Sequence, residues 1–206
     1  MKNNSTINTN SPGAKSQVST QNSRKISNIA AHSLSRSKFC RFLSRLVSYQ
    51  KPKTIIELGS SLGITTLYLS AAHPEANIYT FEGCPETARL ARQLFEKWEF
   101  KNIHLVEGNI DDKLPQVLSD CQHVDFAYLD ANHKYQPTLN YYECLREKSH
   151  EQSIFVLDDI YWSTEMQKAW NEIYQKKEIS LSIDLFDAGL LFFESLQKKQ
   201  HYLLTF

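Results

Sequence analysis

The chain has 206 residues, which is enough for one domain with a sizeable hydrophobic core. Its 23 lysine and arginine residues balance its 23 aspartate and glutamate residues, so no overall basic charge would attract DNA or an anionic membrane. The sequence contains no apolar run long enough for a membrane helix, no signal-peptide pattern and no cysteine spacing typical of a zinc site, and we expect a cytoplasmic protein.

The first 50 residues differ in composition from the rest of the chain. Residues 1–23 are polar and rich in asparagine, serine and threonine, and they predict a flexible arm because they offer little apolar surface to bury. Two helical patterns follow, at about residues 26–30 and 39–47, and Pro52 ends the second. We therefore predict three parts: a flexible polar arm (1–23), a helical appendage or lid (24–50) and a main domain (51–206).

Short β-branched segments alternate with helical patterns from residue 54 onwards. The predicted strands are 54–58, 77–82, 102–107, 124–130 and 153–158. A helical pattern follows each strand; Pro137 is expected to open the fourth helix, and Thr164 with Gln167 to form a capping box in the fifth. Strands that alternate with helices predict a doubly wound α/β domain with a parallel sheet.

The pattern changes near the C-terminus. Apolar segments at 180–186 and 190–195 are joined by a connection too short for a parallel crossover, so we predict an antiparallel hairpin. The five strands and this hairpin make a seven-stranded sheet, to which residues 201–206 could add an edge strand.

The first strand carries an acid and leads into two glycines, in the pattern E-x-G-x-x-x-G. Gly59 allows a turn that side chains forbid and a close approach of a ligand, and Gly63 lets the following helix lie close. A dinucleotide site would instead show G-x-G-x-x-G, and the anionic Glu57 would oppose a pyrophosphate. The pattern therefore favours a ligand with ammonium or hydroxyl groups.

The next two strands also end in polar residues. Glu82 closes the second strand 25 residues after Glu57, where its carboxylate can accept hydrogen bonds from both hydroxyls of a ribose. Asn109 and Ile110 follow the third strand, where an adenine edge and face could rest.

Together these features resemble the class I S-adenosylmethionine-dependent methyltransferases over about residues 50–206. The resemblance implies that the segment from Glu57 to Gly63 holds the methionine end of S-adenosylmethionine, that Glu82 binds the ribose and that Asn109, where many members have aspartate, binds the adenine amino group. The cofactor-binding residues that it implies are Glu57, Gly59, Ser60, Ser61, Gly63, Glu82, Gly83, Asn109, Ile110 and Asp130.

Three carboxylates follow the fourth and fifth strands. Asp130 ends the fourth strand, and Asp158 and Asp159 end the fifth. Neighbouring strands would bring these acids to one edge of the sheet, where a cation or a hydrogen-bond donor would have to offset their repulsion. Oxygen ligands of this kind suit Mg²⁺ or Ca²⁺, although the acids could also cap loops or contact only the cofactor.

The strings "LDANHKY" and "LDDIYW" resemble a bacterial branch related to the metal-dependent small-molecule O-methyltransferases of the catechol and caffeoyl-CoA types. The resemblance implies a metal site at Asp130, Asp158 and Asp159, the last standing where those enzymes often have asparagine. It also places His133 where they have a catalytic lysine. Histidine can act as a general base near neutral pH, but His133 could equally be a surface residue.

The acceptor is expected to be a small molecule that is methylated on oxygen. Tyr161 and Trp162 follow the acidic pair and could form walls of its pocket or pack in the core. The alternatives are a non-catalytic S-adenosylmethionine-binding module, a methyltransferase for RNA or protein, and a nicotinamide dehydrogenase. The sequence argues against DNA and membrane partners and is compatible with a homodimer.

Overall fold

The structure is a computed structural model that describes residues 6–8, 23–25, 37–195 and 197–205. Its contacts divide the chain into two compact units. The first unit comprises Met1–Pro52 and Gly59–Lys113, and the second comprises Lys53–Leu58 and Leu114–Phe206.

The described parts of the N-terminal segment are two short strands and a helix. Strands β1 (Thr6–Asn8) and β2 (Ser23–Lys25) pair antiparallel. Helix α1 (Ser37–Gln50) buries one apolar face, as its sequence pattern predicts, and packs against the helix that follows the glycine loop. The rest of the predicted arm, and the helix predicted at residues 26–30, lie outside the described residues. The division into arm, appendage and main domain stays a prediction.

From residue 54 the chain alternates strands and helices, which confirms the predicted α/β fold. The elements of the first unit are α2 (Ile64–Ala72), β4 (Asn77–Glu82), α3 (Pro85–Lys97), β5 (Ile103–Glu107) and the start of α4 (Ile110–Asp120). Those of the second unit are β3 (Thr54–Leu58), β6 (Phe126–Leu129), α5 (Tyr135–Arg146), β7 (Ile154–Asp158), α6 (Thr164–Gln175), β8 (Leu181–Asp184), β9 (Ala188–Phe192) and β10 (Gln200–Leu203).

Eight strands form one sheet in the order β10-β8-β9-β7-β6-β3-β4-β5. Strand β6 is parallel to both β3 and β7, and β4 is parallel to β5. Strand β9 is antiparallel to both β7 and β8, which confirms the C-terminal hairpin. The seven expected strands are β3 to β9, and β10 adds an eighth at the edge, parallel to β8. The strand order reverses at β3, as in doubly wound folds that bind ligands beside the reversal.

The central strands β6 and β7 of the second unit are buried, whereas the edge strand β10 is exposed. Strands β6 and β7 carry continuous apolar runs, as expected for the interior of a parallel sheet. At the start of β3, Asp125 accepts hydrogen bonds from the backbone N–H groups of Lys53 and Thr54 at 2.9 and 2.7 Å. No helix among the described residues is both long enough and apolar enough to cross a membrane.

Two helix starts differ from the sequence prediction. Helix α6 is capped by Ser163, whose hydroxyl accepts a hydrogen bond from the Met166 backbone N–H at 3.1 Å, so the capping box predicted from Thr164 is wrong by one residue. Helix α5 begins at Tyr135, two residues before Pro137. Proline is tolerated in a first turn because its missing N–H would have no partner within the helix.

Gly63 joins the glycine loop to α2 in a left-handed conformation, with φ of +80°. A Cβ atom at this position would lie 2.5 Å from Cε1 of Phe95 on α3 and 3.3 Å from the Cβ of Ala91. Glycine is therefore required at position 63 for two reasons: the backbone angle and the close approach of α3 to the start of α2.

Replacement of Gly63 should test this packing. We expect Gly63→Ala to lower the free energy of unfolding by about 2–3 kcal/mol, because it adds a steric clash to an unfavourable φ. Gly108→Ala is the matched control: its φ is +128°, but its new Cβ would meet only the flexible Lys113 side chain at 3.4 Å, and we expect a loss of about 1 kcal/mol. Equal losses in urea unfolding would contradict the packing role of Gly63.

Candidate functional site

In the first unit, the loop between β3 and α2 is fixed to the end of β4. The backbone N–H groups of Gly59 and Ser60 both donate to the carbonyl oxygen of Phe81, at 3.0 and 2.9 Å. The Ser60 hydroxyl also forms a hydrogen bond with Thr80, and Ser61 adopts a positive φ of +48°. The loop therefore has a defined shape that depends on the last residues of β4.

Glu82, the last residue of β4, is hydrogen-bonded to this loop. Its Oε2 accepts a hydrogen bond from the Ser61 N–H at 2.9 Å, and its Oε1 accepts one from the Cys84 N–H at 2.8 Å. Burial raises the pKa of the Glu82 carboxyl, while the N–H groups of Cys84, Ser61 and Gly83 act in the opposite direction. A carboxylate has about four acceptor positions, so the fixed Glu82 side chain retains capacity to accept a further hydrogen bond.

Asn109 and Ile110 open α4 after β5. The side-chain oxygen of Asn109 accepts a hydrogen bond from the Asp111 N–H at 3.3 Å, which is the arrangement of an N-cap. Ile110 is the buried first residue of the helix. The geometry therefore assigns Asn109 a structural role, and its contact with adenine stays a prediction.

In the second unit, carboxylates converge at the ends of β3, β6 and β7. Glu57 is fully buried in β3, and the Asp130 N–H donates to the Leu58 carbonyl at 2.9 Å, so Asp130 lies at the end of β3. The hydroxyl of Tyr128 forms a short hydrogen bond with Asp158 and approaches Asp130 at 3.3 Å. One phenolic proton is thus shared between two acids.

Burial and neighbouring negative charges raise the pKa values of these acids. Burial raises the pKa of Asp130 well above its usual range, and the charges of Asp158, Asp159 and Glu57 raise it further. Burial and the Asp159 charge raise the pKa of Asp158 to about 7, against the effect of the Tyr128 hydrogen bond. Burial also raises the pKa of Asp159. Such a cluster favours a proton or a cation among its members.

His133 faces the same cluster. Its Nε2 lies 3.4 Å from Oδ1 of Asp130, and its Nδ1 lies 3.9 Å from Oδ2 of Asp159. Nδ1 is buried and makes no hydrogen bond with any residue that the structure describes. Burial lowers the pKa of the imidazole despite the Asp159 charge, so the ring is neutral at neutral pH.

One potential ligand atom each from Asp130, His133 and Asp159 lies within 4.8 Å of the other two. This group differs from the predicted set of Asp130, Asp158 and Asp159. Asp158 instead accepts hydrogen bonds from Tyr128 and, at 3.0 Å, from the Asp159 N–H.

Tyr161 and Trp162 are exposed and do not pack in the core. The Tyr161 hydroxyl donates to Oδ2 of the buried Asp184 at 2.6 Å, and this hydrogen bond raises the pKa of Tyr161 to about 12. The backbone also holds Trp162 near the acidic pair, because its N–H donates to the Asp159 carbonyl oxygen at 2.9 Å.

Sequence reasoning missed Tyr128 and Asp184. Tyr128 stands two residues before Asp130, and the two-residue period of a strand puts both side chains on the same side, which is a signal that the sequence did contain. Asp184 gave no such signal, because its partners Tyr161 and Trp170 lie on other elements.

Asp158→Asn should reduce the pH dependence of stability. The pKa of Asp158 is about 7 in the native state and 3.8 as the ordinary value, so the native chain binds more protons than the unfolded chain between these pH values. The free energy of unfolding therefore falls as pH rises through that window. We expect the variant, whose amide oxygen can still accept from Tyr128, to lose part of this fall.

Urea unfolding at about pH 5 and about pH 8, with a chelator present, measures this effect. Asp120→Asn, which removes an exposed carboxylate from α4, is the control and should leave the pH dependence unchanged. A wild type that is equally stable at both pH values, or a variant with the wild-type slope, would contradict the pKa assigned to Asp158.

Comparison with known proteins shows the family. A protein-family model described as a methyltransferase domain matches residues 56–160 of the chain. No curated protein gives a significant sequence match to the chain.

Several solved structures share the fold. An O-methyltransferase from Bacillus cereus in complex with SAH has a TM-score of 0.68 and 21% identity, over 80% of this chain and 84% of that one. The SAH-bound methyltransferase PaMTH1 from Podospora anserina has a TM-score of 0.70 and 18% identity, over 81% and 82%. TomG, an O-methyltransferase of tomaymycin synthesis from Streptomyces achromogenes, in complex with SAM, has a TM-score of 0.70 and 14% identity, over 79% and 82%.

At these identities the likeness concerns the fold, whereas the family model covers just over half of the residues. The chain therefore belongs to the methyltransferase domain family, with the Rossmann-like fold of the class I S-adenosylmethionine-dependent methyltransferases.

Proposed function

We propose that this protein transfers the methyl group of S-adenosylmethionine to an oxygen atom of a small-molecule acceptor. The observation that carries the proposal is the Glu82 carboxylate, which two backbone N–H groups fix beside the glycine loop. Membership of the methyltransferase domain family supports the reaction class, and the SAH and SAM bound in the structural neighbours support the methyl donor.

The donor would be bound through its hydroxyl and cationic groups. Glu82 retains acceptor capacity for the ribose hydroxyls, and Gly59, Ser60 and Ser61 offer a loop that a ligand can approach closely. The cationic methionine end suits Glu57 and Asp130, whose charges already act on each other. A diphosphate would instead be repelled by these carboxylates.

S-adenosylmethionine supplies an activated methyl group on a sulfonium. In the transfer, the acceptor oxygen forms a bond to the methyl carbon while the carbon–sulfur bond breaks, and its electron pair remains on sulfur. The acceptor loses a proton to a base. The protein's residues therefore have two tasks: to align the two reactants and to accept that proton.

His133 is the base that we propose. Its buried Nδ1 makes no hydrogen bond within the described part of the chain, and its lowered pKa keeps the ring unprotonated at neutral pH. A proton accepted by the imidazole would be stabilised by Asp130 and Asp159, which lie 3.4 and 3.9 Å from its two nitrogens.

The group of Asp130, His133 and Asp159 favours a second candidate role for His133, as a ligand of a divalent cation. Two carboxylates and one imidazole within 4.8 Å of one another fit a divalent cation, and the unpartnered Nδ1 of His133 is consistent with a ligand role. A nitrogen ligand suits Mn²⁺, Fe²⁺ or Zn²⁺ better than the Mg²⁺ or Ca²⁺ expected from oxygen ligands alone. Such a cation would lower the pKa of an acceptor hydroxyl.

Glu82→Ala should weaken binding of S-adenosylhomocysteine by about 30-fold or more. The variant loses two charge-assisted hydrogen bonds to the ribose, and a loss of about 2 kcal/mol corresponds to that factor. Isothermal titration calorimetry measures the affinity directly. Glu107→Ala is the matched control, because Glu107 is paired with Glu82 in the β4–β5 register but is exposed, and we expect wild-type affinity.

The same titration tests the class of ligand. Binding of NAD with no response to S-adenosylhomocysteine would overturn the methyl-transfer proposal in favour of a dehydrogenase. Binding of S-adenosylhomocysteine without turnover of any acceptor would favour a binding module.

His133→Ala separates the two roles of His133. As a base, His133 should contribute about 100-fold to kcat, and the variant should lose the fall in rate that protonation causes below pH 6.5, the ordinary histidine pKa. If His133 is instead a metal ligand, a chelator should remove the activity of the wild type and Mn²⁺ should restore it, and the variant should lack this activity. His123→Ala, at an exposed position before β6, is the control. An unchanged rate and pH profile, with no effect of chelator, would exclude both roles.

A further inference from the structure

The turn between β8 and β9 lies beside the acidic cluster. In the register of the sheet, Asp158 at the end of β7 pairs with Ala188 at the start of β9. Asp187 directly precedes Ala188, and its charge raises the pKa of both Asp158 and Asp159. Residues 185–187 therefore belong to the same edge of the second unit as the acids.

Two exposed aromatic residues meet at this edge. Tyr161 is 43% exposed and Phe186 is 48% exposed, and their ring centroids are 6.5 Å apart. Trp162, the next residue after Tyr161, is 56% exposed. Adjacent aromatic side chains that remain in water are typical of surfaces that bind a ligand or a partner.

The backbone at Phe186 is strained. Its φ is +68°, a left-handed conformation that bulky side chains rarely adopt. Asn132, His133 and Asp159 at the same edge also have positive φ, of 61°, 41° and 54°. Because such residues cost about 1–3 kcal/mol each, their concentration at one edge indicates a functional surface.

The buried Asp184 fixes both aromatic residues. Its Oδ1 accepts a hydrogen bond from the Phe186 N–H at 2.9 Å, and its Oδ2 accepts one from the Tyr161 hydroxyl at 2.6 Å. The indole N–H of Trp170 also donates to Oδ2, at 3.2 Å. One carboxylate thus sets the positions of Tyr161 and Phe186 before any ligand binds.

We propose that Tyr161, Phe186 and Asp187 form the acceptor site and select an aromatic acceptor that carries a positive charge. This inference rests on the proposed function and names its substrate class. The aromatic pair offers ring faces for stacking and for cation–π contact. Asp187 and the neighbouring Asp159 attract an ammonium group and repel a carboxylate or phosphate.

A matched pair of catechols tests the charge preference. 3,4-Dihydroxyphenethylamine and 3,4-dihydroxyphenylacetate share a ring and its two hydroxyls but carry opposite charges at neutral pH. We expect the amine to bind the protein saturated with S-adenosylhomocysteine at least about tenfold more tightly in calorimetry, a difference that should shrink at high salt.

Two variants connect this preference to named residues. Phe186→Gly removes the ring and relieves the strained φ, so it should retain or raise thermal stability and weaken amine binding by about fivefold or more. Asp187→Asn should reduce the preference for the amine to about threefold or less. Trp98→Ala, which removes an exposed aromatic residue from the C-terminal cap of α3, should change neither quantity.

The outcomes separate this inference from the proposed function. Binding of S-adenosylhomocysteine with equal or tighter binding of the acid, or with wild-type amine affinity in Phe186→Gly, would overturn the acceptor site and leave the methyl-donor site intact. Failure of S-adenosylhomocysteine to bind would overturn the proposed function. Amine binding to the unliganded protein that depends on Phe186 and Asp187 would still support the aromatic site in that case.

Discussion

The shared proton of Tyr128 is the constraint on which the site of the second unit depends. The tyrosine is fully buried, and its single hydroxyl hydrogen lies between the carboxylates of Asp158 and Asp130. A phenol cannot neutralise two ionised acids, and burial, together with the neighbouring acidic charges, raises the pKa values of both residues despite the Tyr128 hydrogen bond. The edge of the sheet therefore requires additional positive charge, either a bound proton or a cation. The sulfonium of the proposed methyl donor would bring such charge to the site on binding.

The first unit meets a different requirement, that of holding one carboxylate in place. Backbone N–H groups fix Glu82 from both sides, and the loop that supplies one of them is itself tied to β4 through the Phe81 carbonyl. Gly63 then allows α2 to begin within contact of Phe95. Because these contacts involve backbone atoms, the position of Glu82 depends little on the neighbouring side chains, which suits the proposed recognition of ribose hydroxyls at fixed spacing.

Much of the fold follows from the sequence because its strands are short, apolar and regularly spaced. The limits of β3 and β4 agree with the prediction to the residue, since a glycine follows each segment directly. The cap of α6 was wrong because Ser163 and Thr164 are both good capping residues, and only the backbone angle of Ser163 decides between them. For Asn109 the sequence could not distinguish between two roles, because a helix cap and an adenine contact need the same residue type at the same position.

Interactions between distant elements explain what the sequence could not show. Asp184 holds residues from β8, the loop after β7 and α6, and none of these pairs has a spacing that a sequence pattern reveals. The consequence concerns stability as well as recognition. Strain at Phe186 and repulsion among the acids both reduce the stability of the native chain, whereas a cation that binds only the native state would recover part of it in proportion to its affinity. Relief of the repulsion among the acids therefore adds to the free energy that a cationic ligand would release on binding at this edge.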